Sequence, residues 1–81
     1  MRLVRTPHFL RAYNKAPGKI QQAFDKQAHL LLANLNHPSL RAKKYDESRD
    51  LWQGRVTRGW RFYFTIERDV YVLHEIRNHP K

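Results

Sequence analysis

The sequence contains no cysteine, no long apolar run and few acidic residues, and each absence excludes a class of protein. Without cysteine, the chain can form neither a disulfide framework nor a thiolate metal site. No apolar stretch approaches the length of about 20 residues that a membrane-spanning helix needs, and MRLVRTPHFL lacks the apolar core of a signal peptide. We therefore expect a cytoplasmic protein without membrane contacts.

The five histidines do not suggest a metal site. No two of them are spaced as zinc ligands within a helix. They are His8, His29, His37, His74 and His79. We expect neither a metal nor any other cofactor.

Basic residues outnumber acidic residues by more than two to one. The chain has 16 lysines and arginines against 7 aspartates and glutamates, a net charge of +9 at pH 7. The isoelectric point is near 10.5. Solubility alone does not require this excess, so we expect a polyanionic partner. A solvated basic surface is the alternative, but arginines within predicted strands and an aromatic content of 12% favour nucleic acid.

The length of 81 residues predicts one domain, residues 1–81, with one core and no deep pocket. RLVRT predicts a strand, and Thr6 followed by Pro7 predicts the start of a helix that ends near Tyr13. Pro17 starts a second helix, which Pro38 ends. Apolar residues recur at three- and four-residue steps in this second helix. They are Ile20, Phe24, Ala28, Leu31, Leu32 and Leu35.

Alternating apolar and polar residues predict four more strands. The order β-α-α-β-β-β-β predicts an α+β fold, in which two antiparallel helices cover one face of a mostly antiparallel sheet of four or five strands. The predicted strands are about Arg41 to Tyr45, Leu51 to Thr57, Arg61 to Ile66 and Val70 to Arg77.

Separation of charged from apolar residues predicts how the strands pair. A three-residue connection over 58–60, or an equivalent bulge, pairs Thr57 with Arg61 and Arg55 with Tyr63. The other face then carries the apolar residues Trp52, Val56, Phe62, Phe64 and Ile66.

The same test on the next hairpin favours a loop over 67–69. This loop sets Ile66 against Val70 and Arg61 against Glu75. It also sets Phe64 against Val72. One face of the sheet then gathers Gln53, Arg55, Arg61, Tyr63, Glu75, Arg77 and, if the last strand continues, His79.

The element order and several motifs together resemble the RelE/ParE superfamily of type II toxin-antitoxin toxins. The motifs are HPSLRAKK before the sheet, the hairpin pattern W-x-x-R-V-T-R-x-x-R-x-x-F and the closing I-R-N-H. The resemblance covers nearly the whole chain, and it implies a toxin with a cognate antitoxin. RelE-like members are mRNA interferases that cut the message in the ribosomal A site, whereas ParE-like members poison DNA gyrase.

RNA cleavage without a metal needs a base for the 2′-hydroxyl, positive charge for the phosphorane and an acid for the departing 5′-oxygen. By the resemblance, Arg61 matches the phosphate-contacting arginine and His79 the position of the general acid. Arg55 matches a basic residue that would hold the RNA backbone or the 2′-oxygen. Glu75 or Lys44 would be the base.

Structural roles compete with these assignments. Arg61 and Glu75 would form a simple cross-strand ion pair. His74 falls between Val72 and Ile76 on the core side, where a packed, hydrogen-bonded histidine is expected.

Further RNA contacts are expected from Lys43, Gln53, Arg58, Trp60, Tyr63 and Arg77. RelE-like toxins commonly place a stacking aromatic residue beyond the last strand, whereas this sequence stops at Lys81. We therefore expect Tyr63 or Trp60 to take that role, although Trp60 could equally cover an edge of the core.

The preferred prediction is a ribosome-dependent, metal-independent mRNA endoribonuclease that leaves 2′,3′-cyclic phosphate ends. Its expected partners are an antitoxin, the ribosome and mRNA. A ParE-like gyrase inhibitor and a non-catalytic nucleic-acid-binding relative are the alternatives. The set of Arg55, Arg61 and His79 distinguishes them, because an enzyme needs these residues and a pure binder does not.

Overall fold

The computed structural model describes residues 1–79, in which two helices pack on one face of a five-stranded sheet. The elements are β1 (Arg2–Arg5), α1 (Pro7–Lys15), α2 (Gly18–Ala33), β2 (Lys43–Asp46), β3 (Leu51–Thr57), β4 (Trp60–Glu67) and β5 (Val70–Asn78). The strand order is β1-β5-β4-β3-β2, and only the β1–β5 pair is parallel among these strands. The predicted α+β fold is confirmed.

The start of α1 is fixed to the sheet by one hydroxyl group. Thr6 Oγ1 accepts a hydrogen bond from the Phe9 amide at 3.1 Å and donates one to the Leu73 carbonyl at 3.0 Å. The predicted N-cap therefore also joins α1 to β5. Pro7 occupies the first turn, where its missing N–H is not needed. Neither helix of residues 1–79 has the length and apolar character needed to cross a bilayer.

The core lies between the helices and the sheet. The Phe24 ring meets the Phe62 ring edge-on at 5.2 Å and also contacts Phe9 at 5.2 Å. Leu32 does not belong to the buried stripe of α2 as predicted, since it is 40% exposed, and Gln27 is buried instead. The largest fully buried side chains are Phe9, Phe24, Phe62, Phe64, Leu31, Leu40, Leu73 and Ile76.

The β3–β4 hairpin has a two-residue turn followed by a bulge. Thr57 pairs with Trp60, and the register then shifts so that Arg55 pairs with Arg61. The predicted pairs of Thr57 with Arg61 and of Arg55 with Tyr63 are wrong, whereas the equivalent bulge is confirmed. Val56 is the extra residue, and the bulge keeps it buried while Arg55 stays with the polar set.

The β4–β5 hairpin also combines a two-residue turn with a bulge. Its turn is also two residues long, with Arg68 in the left-handed conformation at φ 59°, so the loop predicted over 67–69 is wrong. Ile66 pairs with Tyr71 and Phe64 with Leu73. These pairs replace those predicted with Val70 and Val72.

A second bulge follows at His74. Beyond it Tyr63 pairs with Glu75 and Arg61 with Arg77, so the predicted Arg61–Glu75 pair is wrong. The bulge returns Ile76 to the core, where it is 2% exposed.

Gly54 permits the close approach of β3 to the core. It pairs with Phe62, and a Cβ atom at this position would lie 2.4 Å from Cζ of the Phe62 ring. Phe62 is fully buried between Phe24 and Phe64, so its ring has no space into which it could move. The sheet can pack on α2 at this point only because residue 54 has no side chain.

Candidate nucleic-acid interface

The face of the sheet opposite the helices, which we call the polar face, carries its side chains in three rows across the strands. Because strands rise about 3.3 Å per residue, neighbouring rows lie about 7 Å apart. The first row is Arg55, Arg61 and Arg77; the second is Lys43, Gln53, Tyr63 and Glu75; the third is Asp46, Leu51, Thr65 and Val72, flanked by the bulge residues Tyr45 and His74.

Six residues converge on one open cleft of about 510 Å³, which we call the basic cleft. Sequence reasoning predicted four of its residues as site residues and missed Arg41 and Tyr45. Among residues 1–79, no aspartate or glutamate lines this cleft. The lining residues are Arg41, Lys43, Tyr45, Gln53, Arg61 and His79.

Arg61 is held in place by the turn between β3 and β4. Its Nη1 atom donates to the carbonyl oxygens of Thr57 at 2.6 Å, Trp60 at 2.9 Å and Arg58 at 3.2 Å. No side-chain carboxylate of residues 1–79 forms an ion pair with it. Burial, and then the neighbouring charge of Arg55, lower the pKa of Arg61. The protein therefore fixes an uncompensated guanidinium whose charged form a bound anion would stabilise.

A buried amide fixes the two segments that carry Arg41 and Arg55. The Gln27 Nε2 atom donates to the Ser39 carbonyl at 3.0 Å and to the Arg55 carbonyl at 2.8 Å. The Ser39 hydroxyl donates back to Gln27 Oε1 at 3.2 Å. Gln27 thus joins α2 to the Pro38–Leu40 turn and to the bulge of β3. Its position on α2 gave no sign of this role, because an amide on a helix is most often solvated.

His79 lies in the basic cleft, as predicted. β5 ends at Asn78, but the His79 amide continues the pairing by donating to the Gly59 carbonyl at 2.7 Å. Its side chain lines the cleft together with that of Arg61.

The Glu75 carboxylate is turned away from the basic cleft. Its Oε2 lies 2.9 Å from Nε2 of His8 at the start of α1, and its Oε1 accepts from the Ile76 amide at 3.2 Å. The predicted ion pair with Arg61 does not form. Glu75 is therefore poorly placed to act as the base.

Lys44 lies on the opposite side of the sheet from the basic cleft. It pairs with Trp52 across the strands, and its Nζ bonds to Asp50 Oδ1 at 2.8 Å. This hydrogen bond is the main reason that the pKa of Lys44 is raised, which makes it a weaker candidate for a base. Its predicted place beside the arginines is wrong, and Lys43 occupies that place instead.

Of the two aromatic residues expected to stack on a base, Tyr63 is buried and Trp60 is half-buried. Tyr63 is 3% exposed, between the Tyr45 ring at 5.0 Å and the Arg77 guanidinium at 4.6 Å. Trp60 packs against the core, which was the other role predicted for it. His74, predicted on the core side, lies instead on the polar face, where its Nε2 is 2.9 Å from the Thr65 hydroxyl.

Residues 1–79 contain no cluster of three or more histidine or acidic side chains arranged to hold a metal ion. Arg58 lies in the turn between β3 and β4, with its side chain exposed. Of the residues predicted to contact RNA, Lys43 and Gln53 line the basic cleft, and Arg77 covers Tyr63 beside it.

No protein-family model matches the sequence, and a search of curated proteins finds no match. Solved structures do match over nearly the whole chain. A YoeB/ParE toxin from Agrobacterium tumefaciens has a TM-score of 0.81 at 14% identity, over 99% of this chain and 100% of that chain. The archaeal RelE-RelB complex from Pyrococcus horikoshii OT3 matches with a TM-score of 0.80 at 13% identity, over 99% and 96%. The isolated E. coli RelE toxin matches with 0.77 at 13% identity, over 98% and 84%. At these identities the likeness establishes a shared fold.

Proposed function

We propose that this chain, which has the fold of the RelE/ParE superfamily of toxins, is the toxin of a type II toxin-antitoxin pair and cleaves mRNA on the ribosome. The observation that carries the proposal is the basic cleft. Its lining includes Arg61, Arg41, Lys43 and His79, and no aspartate or glutamate from the described part of the chain, residues 1–79. This arrangement suits the binding and cleavage of a phosphodiester.

Arg61 is the group that stabilises the transition state. Three turn carbonyls hold its Nη1 atom, so the guanidinium is oriented before RNA binds. Its remaining N–H groups donate to the phosphorane oxygens as their negative charge grows. Little reorganisation is then needed when the reaction occurs.

The cleavage is an attack of the 2′-oxygen on the adjacent phosphorus. The new bond from the 2′-oxygen to phosphorus closes the 2′,3′-cyclic phosphate while the bond from phosphorus to the 5′-oxygen breaks. Protonated His79 gives its proton to the leaving 5′-oxygen. Lys43 and Arg41 stabilise the 2′-alkoxide, and this allows the 2′-hydroxyl proton to pass to water. We assign this role to cations because the base candidates Glu75 and Lys44 lie outside the cleft.

A cognate antitoxin is the proposed protein partner. The P. horikoshii neighbour is a complex of RelE with RelB. A toxin with a net charge of +9 is best neutralised by a partner richer in acidic residues, because complementary charge speeds association and disfavours other partners.

Primer extension on mRNA after induced expression tests the proposal. We expect new stops within translated codons for the native protein and their loss in the Arg61→Ala variant. In a translation assay, the His79→Ala variant should cleave more slowly than the native protein by about 10² to 10⁴. Growth arrest without stops, accompanied by loss of DNA supercoiling, would support a gyrase-directed toxin instead.

A further inference from the structure

We infer that the third row of the polar face forms a subsite for one unpaired nucleobase, with Tyr45 as the stacking platform. The inference rests on the proposed function and adds to it a place for the base next to the place for the phosphate. A second cleft of about 420 Å³ runs beside the basic cleft. Tyr45 borders both of them.

Tyr45 has the exposure and the support that stacking requires. It is 49% exposed, although large aromatic side chains are usually buried. Its ring meets the Tyr63 ring at 5.0 Å and an angle of 66°, and Tyr63 is itself covered by Arg77. The ring is thus supported by Tyr63 and still half exposed to solvent. Stacking on such a ring suits every base, because each base has a π-face.

The second cleft has the chemistry of a base site. Its lining includes Tyr45, Leu51 and His74, and also Glu75, whose carboxylate bonds to His8 and to the Ile76 amide, and Arg77, which covers Tyr63. Leu51 and Thr65 line its continuation of about 300 Å³. Arg49 stands at its border, where Asp46 Oδ2 accepts from its Nε at 2.9 Å. The first row supplies cations for phosphates, whereas the third row supplies an apolar floor, which suits a base.

A hydrogen-bond chain defines what His74 offers to a base. The Thr65 hydroxyl donates to Glu67 Oε2 at 3.2 Å, so it accepts from Nε2 of His74 at 2.9 Å. The Nε2 atom then carries the hydrogen, and in the neutral ring Nδ1 remains an acceptor. An acceptor selects bases with an exocyclic amino group, so the subsite should prefer cytosine, adenine or guanine to uracil, which has none.

Binding of short RNA measures the subsite apart from catalysis. The probe is a fluorescent four-nucleotide RNA with 2′-O-methyl groups, which cannot be cleaved, and a second probe lacks one base at each position in turn. Tyr45→Leu should raise the Kd for the intact probe about 5- to 150-fold, and Tyr45→Phe should stay within about twofold. Tyr13→Leu is the matched control, because Tyr13 lies on the helix side and should leave the Kd unchanged.

The probe without a base is the deciding arm. At one position, removal of the base should weaken binding to the native protein but not to Tyr45→Leu, as a double-mutant cycle requires. His74→Leu should reduce the preference for cytidine over uridine by about 2- to 10-fold. If the Kd depended on salt but changed neither with removal of the base nor with Tyr45→Leu, the subsite would be wrong and the proposed function would stand. No binding by the native protein at low salt would overturn the subsite, whereas the proposed function is overturned only if primer extension shows no stops within translated codons.

Discussion

The two faces of this sheet are built from alternate residues of the same strands, yet their side chains differ in polarity and in role. Phe62 and Phe64 are fully buried under α2, whereas Arg61, next to Phe62 in sequence, lies in the basic cleft on the other side. One face buries apolar surface and so stabilises the fold. The other gathers the positive charges of Arg41, Lys43 and Arg61, and like charges close together are unfavourable for the fold.

The bulges keep the two faces distinct. Without the bulge at Val56, the two-residue turn would put Arg55 on the same side as Phe62. Without the bulge at His74, Ile76 would leave the core. Each bulge thus corrects the alternation of its strand, and each also lies beside a residue of the proposed site.

The strongest test of the comparison is Phe64→Ala, on the face of the sheet that the helices cover. The variant loses a fully buried ring that packs on Trp52, Phe62 and Tyr71. We expect a loss of about 3 to 5 kcal/mol in the free energy of unfolding, measured by urea titration. This is a large share of the roughly 5 to 15 kcal/mol by which native proteins are stable, so the midpoint of the urea titration should fall strongly. A smaller loss than that of a polar-face variant would contradict the division between the faces.

Arg61→Ala should have the converse effect. Cleavage should slow by about 10² to 10³, on the scale of a lost oxyanion-hole donor. The free energy of unfolding should fall by only about 0.5 to 1.5 kcal/mol, because the hydrogen bond to the Arg58 carbonyl is exposed and those to Thr57 and Trp60 are only partly buried. Arg61→Lys is the control, since it keeps the charge but not the planar guanidinium. Full cleavage by Arg61→Ala would contradict its role.

Gly54→Ala tests the close approach within the covered face. The new methyl group would overlap the buried Phe62 ring, and we expect a loss of about 1 to 3 kcal/mol in the free energy of unfolding. Gly18→Ala is the matched control, because no atom lies within 4 Å of its Cβ position. The free energy of unfolding of that variant should rise by about 0.4 to 1 kcal/mol, because alanine lowers the conformational entropy of the unfolded chain. Equal effects of the two variants would mean that the overlap is relieved.

The fold could be predicted because its signals are local. The Thr6 cap with Pro7, the break at Pro17 and the alternation over 51–57 each act within a few residues, and each gave an element close to its observed bounds. The likeness to solved structures confirms the predicted RelE/ParE-like fold.

The strand registers could not be predicted in the same way. A three-residue loop and a two-residue turn with a bulge place Arg55 and Tyr63 on the same face, so separation of charge cannot distinguish them. In β5 every residue from Val70 to Leu73 is apolar or aromatic, so the sequence pattern does not show which side chains face the core. Packing against the helices decides it, and the sequence of the strand alone does not contain that information.

The site was predicted in part for related reasons. Arg61 and His79 fall in the basic cleft because the parity of β4 and β5 places them there. Lys43 and Lys44 are neighbours on a short strand, and only the pairing with Gln53 and Trp52 shows which lysine faces the cleft. Arg41 follows a short helical turn in a left-handed conformation, which no local pattern indicated.

Gln27→Leu tests whether the buried amide that joins α2 to β3 also holds Arg41 and Arg55 in position. Loss of the buried amide leaves the Arg55 and Ser39 carbonyls without their partner, so we expect about 1 to 3 kcal/mol less stability. RNA binding should weaken as well, because Arg55 and Arg41 lose their fixed positions. Gln22→Leu is the control on the exposed side of α2. If stability fell without any change in the Kd for the four-nucleotide RNA, Gln27 would belong to the core alone.

The smallest expected effect concerns Asp46, at the edge where β2 ends. Its Oδ1 accepts from the Ser48 hydroxyl at 2.7 Å and amide at 3.1 Å, and its Oδ2 accepts from Arg49. The Ser48 hydroxyl, followed by Arg49, lowers the pKa of Asp46 below its ordinary value. A lowered folded-state pKa stabilises the fold above the unfolded pKa, about 3.9, and this contribution is lost as the pH falls through the folded pKa. Asp46→Asn should therefore be slightly less stable than the native protein at pH 7, and the gap should close as the pH falls below about 4. Urea titrations from pH 7 to strongly acidic pH measure this gap, and a gap that stayed constant would show that the carboxylate charge contributes nothing there.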